Sequence, residues 1–202
     1  MSNMKKAVAV FDFDGTLTLK DSFIEFAIHA VGKKQLLLAM LKNFRWLAAW
    51  KLGKIDGGVA KERLFATLYK DMPLDEFRAK CVSFAWAVDK FERKDTINKL
   101  RTHLQAGHDV YIISASISDW IIPWAKAYGI HRSHILATEI DVTDSGHLTG
   151  RFSTPNCIGE QKVARLKTLF PDLSQIDLYA YGDSAGDYPL LSIADHPSLL
   201  TP

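Results

Sequence analysis

Residues 7–18, AVAVFDFDGTLT, constrain this chain more than any other stretch. Residues 7–11 form a short, valine-containing apolar run, the pattern of a strand buried on both faces of a parallel sheet. Asp12 and Asp14 then follow at period two, which in extended backbone points both carboxylates to one side of the strand end. Two carboxylates so placed repel each other unless a cation or a shared proton intervenes, and a divalent metal is the simplest remedy. Gly15 permits a sharp turn at positive φ, where successive amides can face an anion. Asp-Gly is also an ordinary turn dipeptide, so the rest of the chain has to decide between a turn and a site.

The 202 residues are 48% hydrophobic and 24% charged, the composition of a soluble globular protein with a sizeable core. Twenty-five basic and 23 acidic residues nearly cancel to a net charge of +2, which argues against nucleic acid as a partner. Cys81 and Cys157 are too far apart for a metal knuckle and too few for a disulfide framework, so a reducing compartment fits. Lys5 and Lys6 precede an apolar run, but it stops at Asp12, too soon for a signal-peptide core; the expected location is cytoplasmic. His131 and His134 read as a surface pair rather than a zinc site.

The stretch after Thr18 is helical in pattern. Phe23, Phe26, Ala27, Ala30 and Val31 recur at helical spacing behind a cap at Asp21 or Ser22, and the helix ends near Gly32. Residues 33–52, KKQLLLAMLKNFRWLAAWKL, predict one further helix whose apolar residues nearly encircle it. Lys42 and Arg45 interrupt it, which argues against a transmembrane span. Two readings stay open: a helix packed between others or at a homodimer contact, and a peripheral element whose Trp, Leu and basic residues suit the inner face of a membrane. After Gly53, Gly57 and Gly58, helices are expected over 59–69 and 74–90.

The pattern then alternates. Helices are predicted over 95–106, 117–128 and 159–170, strands over 110–113, 135–140 and 176–181, with a hairpin or irregular excursion at 141–155 and a short last strand at 198–200. Strands separated by helices imply an α/β fold with a doubly wound parallel sheet, its chemistry at the strands' carboxyl ends. The expected organisation is a Rossmann-like core of residues 1–18 and 92–202 and an inserted all-helical cap of residues 19–91.

Four motifs fall on those strand ends and the following helices: FDFDGTLT at 11–18, IISAS at 112–116, GEQKV at 159–163 and GDSAGDYPLL at 182–191. Singly they are weak. Ser114 alone reads as a helix cap, Lys162 as a solvated helix residue, and Asp183 and Asp187 as caps of the last helix. Together and in order they resemble the haloacid dehalogenase superfamily, in its phosphoserine-phosphatase-like branch with a helical cap. The resemblance implies a magnesium-dependent phosphomonoester hydrolase that works through an aspartyl-phosphate. Asp12 would be the nucleophile and Asp14 the acid and base. Ser114 and the backbone at Ala115 would bind phosphoryl oxygens, and Lys162 would supply positive charge. Mg2+ would be held by Asp12, the backbone carbonyl of Asp14 and Asp183, with Asp187 either orienting Lys162 or ligating directly.

Asp14 also discriminates within the superfamily, because dehalogenases lack an acid two residues after the nucleophile. On the cap side, Asp21 stands where phosphoserine phosphatases carry a glutamate that meets the substrate amine, and Arg63 is a candidate for a substrate carboxylate. DSFIEF, the apolar cap segment and PNCIGEQKV at 155–163 resemble instead the phosphatidylglycerophosphatase C-like group, which implies a lipid phosphate. The substrate is therefore either a small phosphorylated metabolite or a lipid headgroup. Two other readings are carried: a phosphomutase or phosphotransferase of the same fold, and a binding protein without turnover.

Overall fold

A computed structural model describes residues 5–201. Its strands are β1 (Lys6–Phe11), β2 (Asp109–Ile117), β3 (Ile135–Thr138), β4 (Ile140–Val142), β5 (Leu148–Phe152), β6 (Ile176–Gly182) and β7 (His196–Leu199). Five of them form one sheet in the order β3-β2-β1-β6-β7, and every pairing in it is parallel. β1 is therefore central, and the chain winds away from it first to one side and then to the other. The crevice outside its carboxyl end is where such a sheet binds ligands.

Alternation along β1 sends its side chains into two different cores. Val8 and Val10 join Tyr111, Ile113, Leu178 and Ala180 against α8 (Glu160–Leu169) and α9 (Tyr188–Ser192). Ala9 and Phe11 point the other way, toward α6 (Lys94–Gln105) and α7 (Ser118–Ala127), and Phe11 stacks on Tyr181 at 4.4 Å. Both faces are covered, which is why the strand reads as an uninterrupted apolar run.

Five helices lie between β1 and α6: α1 (Ser22–Val31), α2 (Lys33–Lys42), α3 (Phe44–Lys51), α4 (Gly57–Tyr69) and α5 (Leu74–Val88). The chain leaves and re-enters through a short two-stranded stalk, with Thr18 bridged to Glu92, Leu19 N donating to Phe91 O at 2.7 Å and Arg93 N to Leu17 O at 2.8 Å. Beyond the stalk the helices share their core with the sheet side. Phe26 of α1 stacks on Trp120 of α7 at 4.6 Å, and Phe65 of α4 meets Phe152 of the β4–β5 hairpin at 5.4 Å.

Several boundaries differ from the sequence expectation. The single helix expected over 33–52 is broken at Asn43, whose buried side chain donates to Ala39 O at 2.8 Å and to Thr67 Oγ1 of α4 at 2.7 Å, pinning an elbow. Most of its apolar residues are exposed rather than packed between helices. β2 runs past 113 to Ile117 because its register against β3 shifts between Ser114 and Ile117, so α7 starts one residue later than predicted. The strand expected over 135–140 ends at Thr138, and Ile140 belongs to the hairpin.

Candidate active site

β1 delivers Asp12 to the sheet edge as a buried residue, its N–H donating to Tyr181 O at 2.9 Å. The turn that follows needs Gly15. Its φ is +75°, and a Cβ there would lie 2.1 Å from Asp183 Oδ2, so any other side chain meets both backbone strain and a clash. Thr16 donates its hydroxyl to Asp183 Oδ1 at 3.1 Å, tying the β1 turn to the loop after β6.

Lys162, in the first turn of α8, is buried between two carboxylates: Asp12 Oδ1 at 2.6 Å and Asp187 Oδ1 at 2.5 Å. Burial alone would lower the proton affinity of this ammonium, but Asp12 and Asp187 outweigh it and hold the group well above its ordinary value. Asp187 is engaged through both oxygens: besides Lys162 on Oδ1, Oδ2 accepts from Asp183 N at 3.2 Å, Ser184 N at 3.0 Å and Ser184 Oγ at 2.9 Å. Burial raises the Asp12 carboxyl to about 7 against the opposing pull of Lys162, and burial raises Asp183 as well.

Asp14 sits in a separate hydrogen-bond network. Its Oδ1 accepts from Ser22 N at 2.7 Å and its Oδ2 from Ser116 Oγ at 2.8 Å. Ser116 Oγ and Ser22 Oγ lie 2.6 Å apart, and Trp120 Nε1 donates to Ser22 Oγ at 3.1 Å. Burial, reinforced by nearby Asp21, raises the Asp14 carboxyl above its usual range despite the Ser22 hydrogen bonds and Lys61. Ser114, buried in β2 where its register against β3 begins to shift, accepts from Ser116 N at 3.1 Å, so its own hydroxyl proton is free to donate.

On the cap side the structure brings Lys61, rather than the expected Arg63, to the strand ends. Arg63 is exposed, with its guanidinium over the Trp46 ring at 4.6 Å, away from Asp12. Lys61, two residues earlier and so on the opposite side of α4, reaches the site, donating to Ala115 O at 2.7 Å with its ammonium over the Phe23 ring at 5.3 Å. Burial lowers its pKa despite the attraction of Asp14, Asp21 and Asp12. Asp21 is exposed at the rim, where it caps α1 by accepting from Ile24 N at 3.1 Å. Ser22, Ser116 and Lys61 were not anticipated. Only Ser116 left a signal, being two residues beyond Ser114 in extended backbone.

Oxygens of Asp12, Asp183 and Asp187 lie within 4.8 Å of one another, while Asp14 stands outside that group. Three carboxylates and no nitrogen or sulfur donor make a hard set suited to magnesium rather than zinc or copper. Among the described residues, Asp12 Oδ2 and Asp183 Oδ2 accept no hydrogen bond, so each has an oxygen to offer.

The family described as haloacid dehalogenase-like hydrolase matches residues 9–192. Protein CicA of Caulobacter vibrioides is 30% identical over 193 residues, covering 93% of this chain and 83% of CicA. Histidinol-phosphatase of Neisseria meningitidis serogroup C is 24% identical over 207 residues, 98% of this chain and 91% of that protein. A solved structure from Bordetella pertussis Tohama I, described as a protein with unknown function, shares the fold with a TM-score of 0.77 at 25% identity, covering 94% of this chain and 87% of that one. Phosphoserine phosphatases are among the other solved structures with this fold.

Proposed function

From the premise that this chain belongs to the haloacid dehalogenase-like hydrolases, we propose that it is a phosphatase hydrolysing phosphomonoesters through a phosphoryl group carried on Asp12. The observation that supports this best is the contrast between two carboxylates two residues apart. Burial raises both carboxyls, but Asp12 is ion-paired with Lys162, which favours its ionised form, whereas Asp14 is held by two serines and has no ion pair among the described residues.

Lys162 fixes Asp12 Oδ1, and the carboxylate attacks phosphorus. As the P–O ester bond breaks, Asp14 gives its proton to the departing alkoxide. The resulting carboxylate then takes a proton from the water that attacks the aspartyl-phosphate, and inorganic phosphate leaves with Asp12 restored. The free proton of Ser114 and the N–H of Ala115 bind phosphoryl oxygens, and the Lys162 charge offsets theirs. Magnesium, which Asp12 and Asp183 would hold with the Asp14 carbonyl, supplies further charge neutralisation. Asp187, with both oxygens engaged, keeps Lys162 in place.

Lys61 gives the substrate side of the cleft a cation held among apolar atoms. That favours a phosphoester with a second anionic group, either on a small metabolite or in a lipid headgroup. Phosphate release with magnesium from a panel of sugar phosphates, phosphoamino acids, nucleotides and detergent-dispersed lipid phosphates tests the reading, with Asp12→Asn alongside. The variant should lose on the order of 10³-fold or more in kcat. Undiminished release by Asp12→Asn would overturn the assignment of the nucleophile.

A further inference from the structure

The α2–α3 elbow carries a surface that the proposed reaction does not use. Leu41, Phe44 and Leu52 are 60%, 61% and 69% exposed, Leu37 and Leu38 are also exposed, and α3 buries no residue at all. So many large apolar side chains on two short helices and the residue that caps the second exceed the scattered exposure normal for a protein surface. Between them stand Lys33, Lys34, Lys42, Arg45, Lys51 and Lys54, and residues 33–55 contain no Asp or Glu.

We propose that this elbow seats on an anionic lipid surface. Charge decides the occupant. A two-fold contact between copies would set the same patch against itself, six cations facing six cations with no acid in the element to answer them. An anionic bilayer supplies that complement, and Leu, Phe and Trp are the residues that enter its interface. No helix among the described residues is long and apolar enough to cross a membrane, and two short helices bent at Asn43 suit lying within the interface plane.

The elbow is mechanically connected to the cleft. Trp50 lies against Gly57 at the start of α4, so closely that a Cβ there would be 2.8 Å from its Nε1. One turn further along α4, Lys61 reaches Ala115 O. Docking through α3 therefore holds the end of α4 that completes the cleft. The inference does not depend on the proposed reaction.

The test is cosedimentation of the full chain with phosphatidylcholine vesicles and with vesicles containing phosphatidylglycerol, at low and high salt, alongside Trp fluorescence. Binding should require the anionic lipid, weaken with salt and shift Trp emission to the blue. Lys42→Gln with Arg45→Gln should weaken the partition roughly 25-fold, about five-fold per charge. Leu41→Ser with Phe44→Ser should weaken it as well, while an unchanged circular dichroism spectrum and thermal unfolding transition show that the variants are folded. The proposal falls if wild type stays in the supernatant with phosphatidylglycerol vesicles, or if the charge variant binds as wild type does. It falls equally if light scattering finds a dimer without vesicle binding that Leu41→Ser with Phe44→Ser converts to a monomer.

Discussion

Replacing Asp187 by Asn separates two roles that its position leaves open, metal ligand and anchor for Lys162. The carboxylate accepts four hydrogen bonds: one from Lys162 on Oδ1, and three on Oδ2 from Asp183 N, Ser184 N and Ser184 Oγ. Asparagine keeps one oxygen. If that oxygen faces Lys162, the amide NH2 confronts two backbone N–H groups, and only the Ser184 hydroxyl can turn to accept from it; if it is flipped, the NH2 confronts an ammonium. Donors meet donors either way. Breaking a buried ion pair costs about 3–5 kcal/mol when the partner is stranded. Here Lys162 keeps Asp12, so the expected loss is smaller, about 2–3 kcal/mol, or roughly 4–12 °C in Tm for a chain of this size. With Lys162 held by Asp12 alone and no longer fixed by Asp187, kcat at saturating magnesium should fall about 10²-fold. Thermal unfolding and a magnesium titration of phosphate release are the assays. An unchanged Tm, with kcat retained at saturating magnesium and only the half-saturating concentration raised, would make Asp187 a ligand and refute the anchoring role.

The other variants follow from the same geometry. Lys61→Met should melt above wild type while KM for a doubly anionic phosphoester rises roughly 10–100-fold. The sign comes from the lowered pKa of Lys61: the unfolded chain binds more protons, so holding the charged ammonium costs stability below its ordinary 10.5, and a neutral side chain of similar shape removes that cost. Asp14→Asn should lose about 10²–10⁴-fold on alkyl phosphates and much less on p-nitrophenyl phosphate, whose leaving group needs no proton. In wild type the raised carboxyl pKa of Asp14 should make alkyl phosphate turnover fall as pH rises through it, and a pH profile of the variant should lack that limb. Gly15→Ala should cost about 1–2 kcal/mol from its left-handed backbone alone, and more as the new Cβ displaces Asp183. Circular dichroism and phosphate release check it, and near-native activity would be the contrary result.

The strand side of the cleft was legible because its residues follow strands that announce themselves. A valine-containing run before Asp12, an Ile-Ile run before Ser114 and a tyrosine-bearing run before Asp183 are each local patterns, and parallel topology brings such ends together. The cap side depends on partners far along the chain. Lys61 is one lysine among many on helices until Ala115, 54 residues later, supplies the carbonyl it meets. Arg63, the cation singled out in the sequence, lies two residues further on, and that separation turns it to the other side of α4, onto Trp46. Asn43 likewise reads as one polar residue in a helical pattern until Thr67 anchors its side chain.

The 33–52 segment shows where periodicity stops informing. An apolar wheel records which side chains are hydrophobic but not what covers them, so a buried helix and an interfacial one look alike. What distinguishes them is charge. A helix packed between others in the chain would need acids nearby to answer six cations, and none lies between 33 and 55. Exposure of Leu41 and Phe44 beside Lys42 and Arg45 is what the wheel could not show, and it is the ground on which an anionic lipid surface is proposed as the occupant.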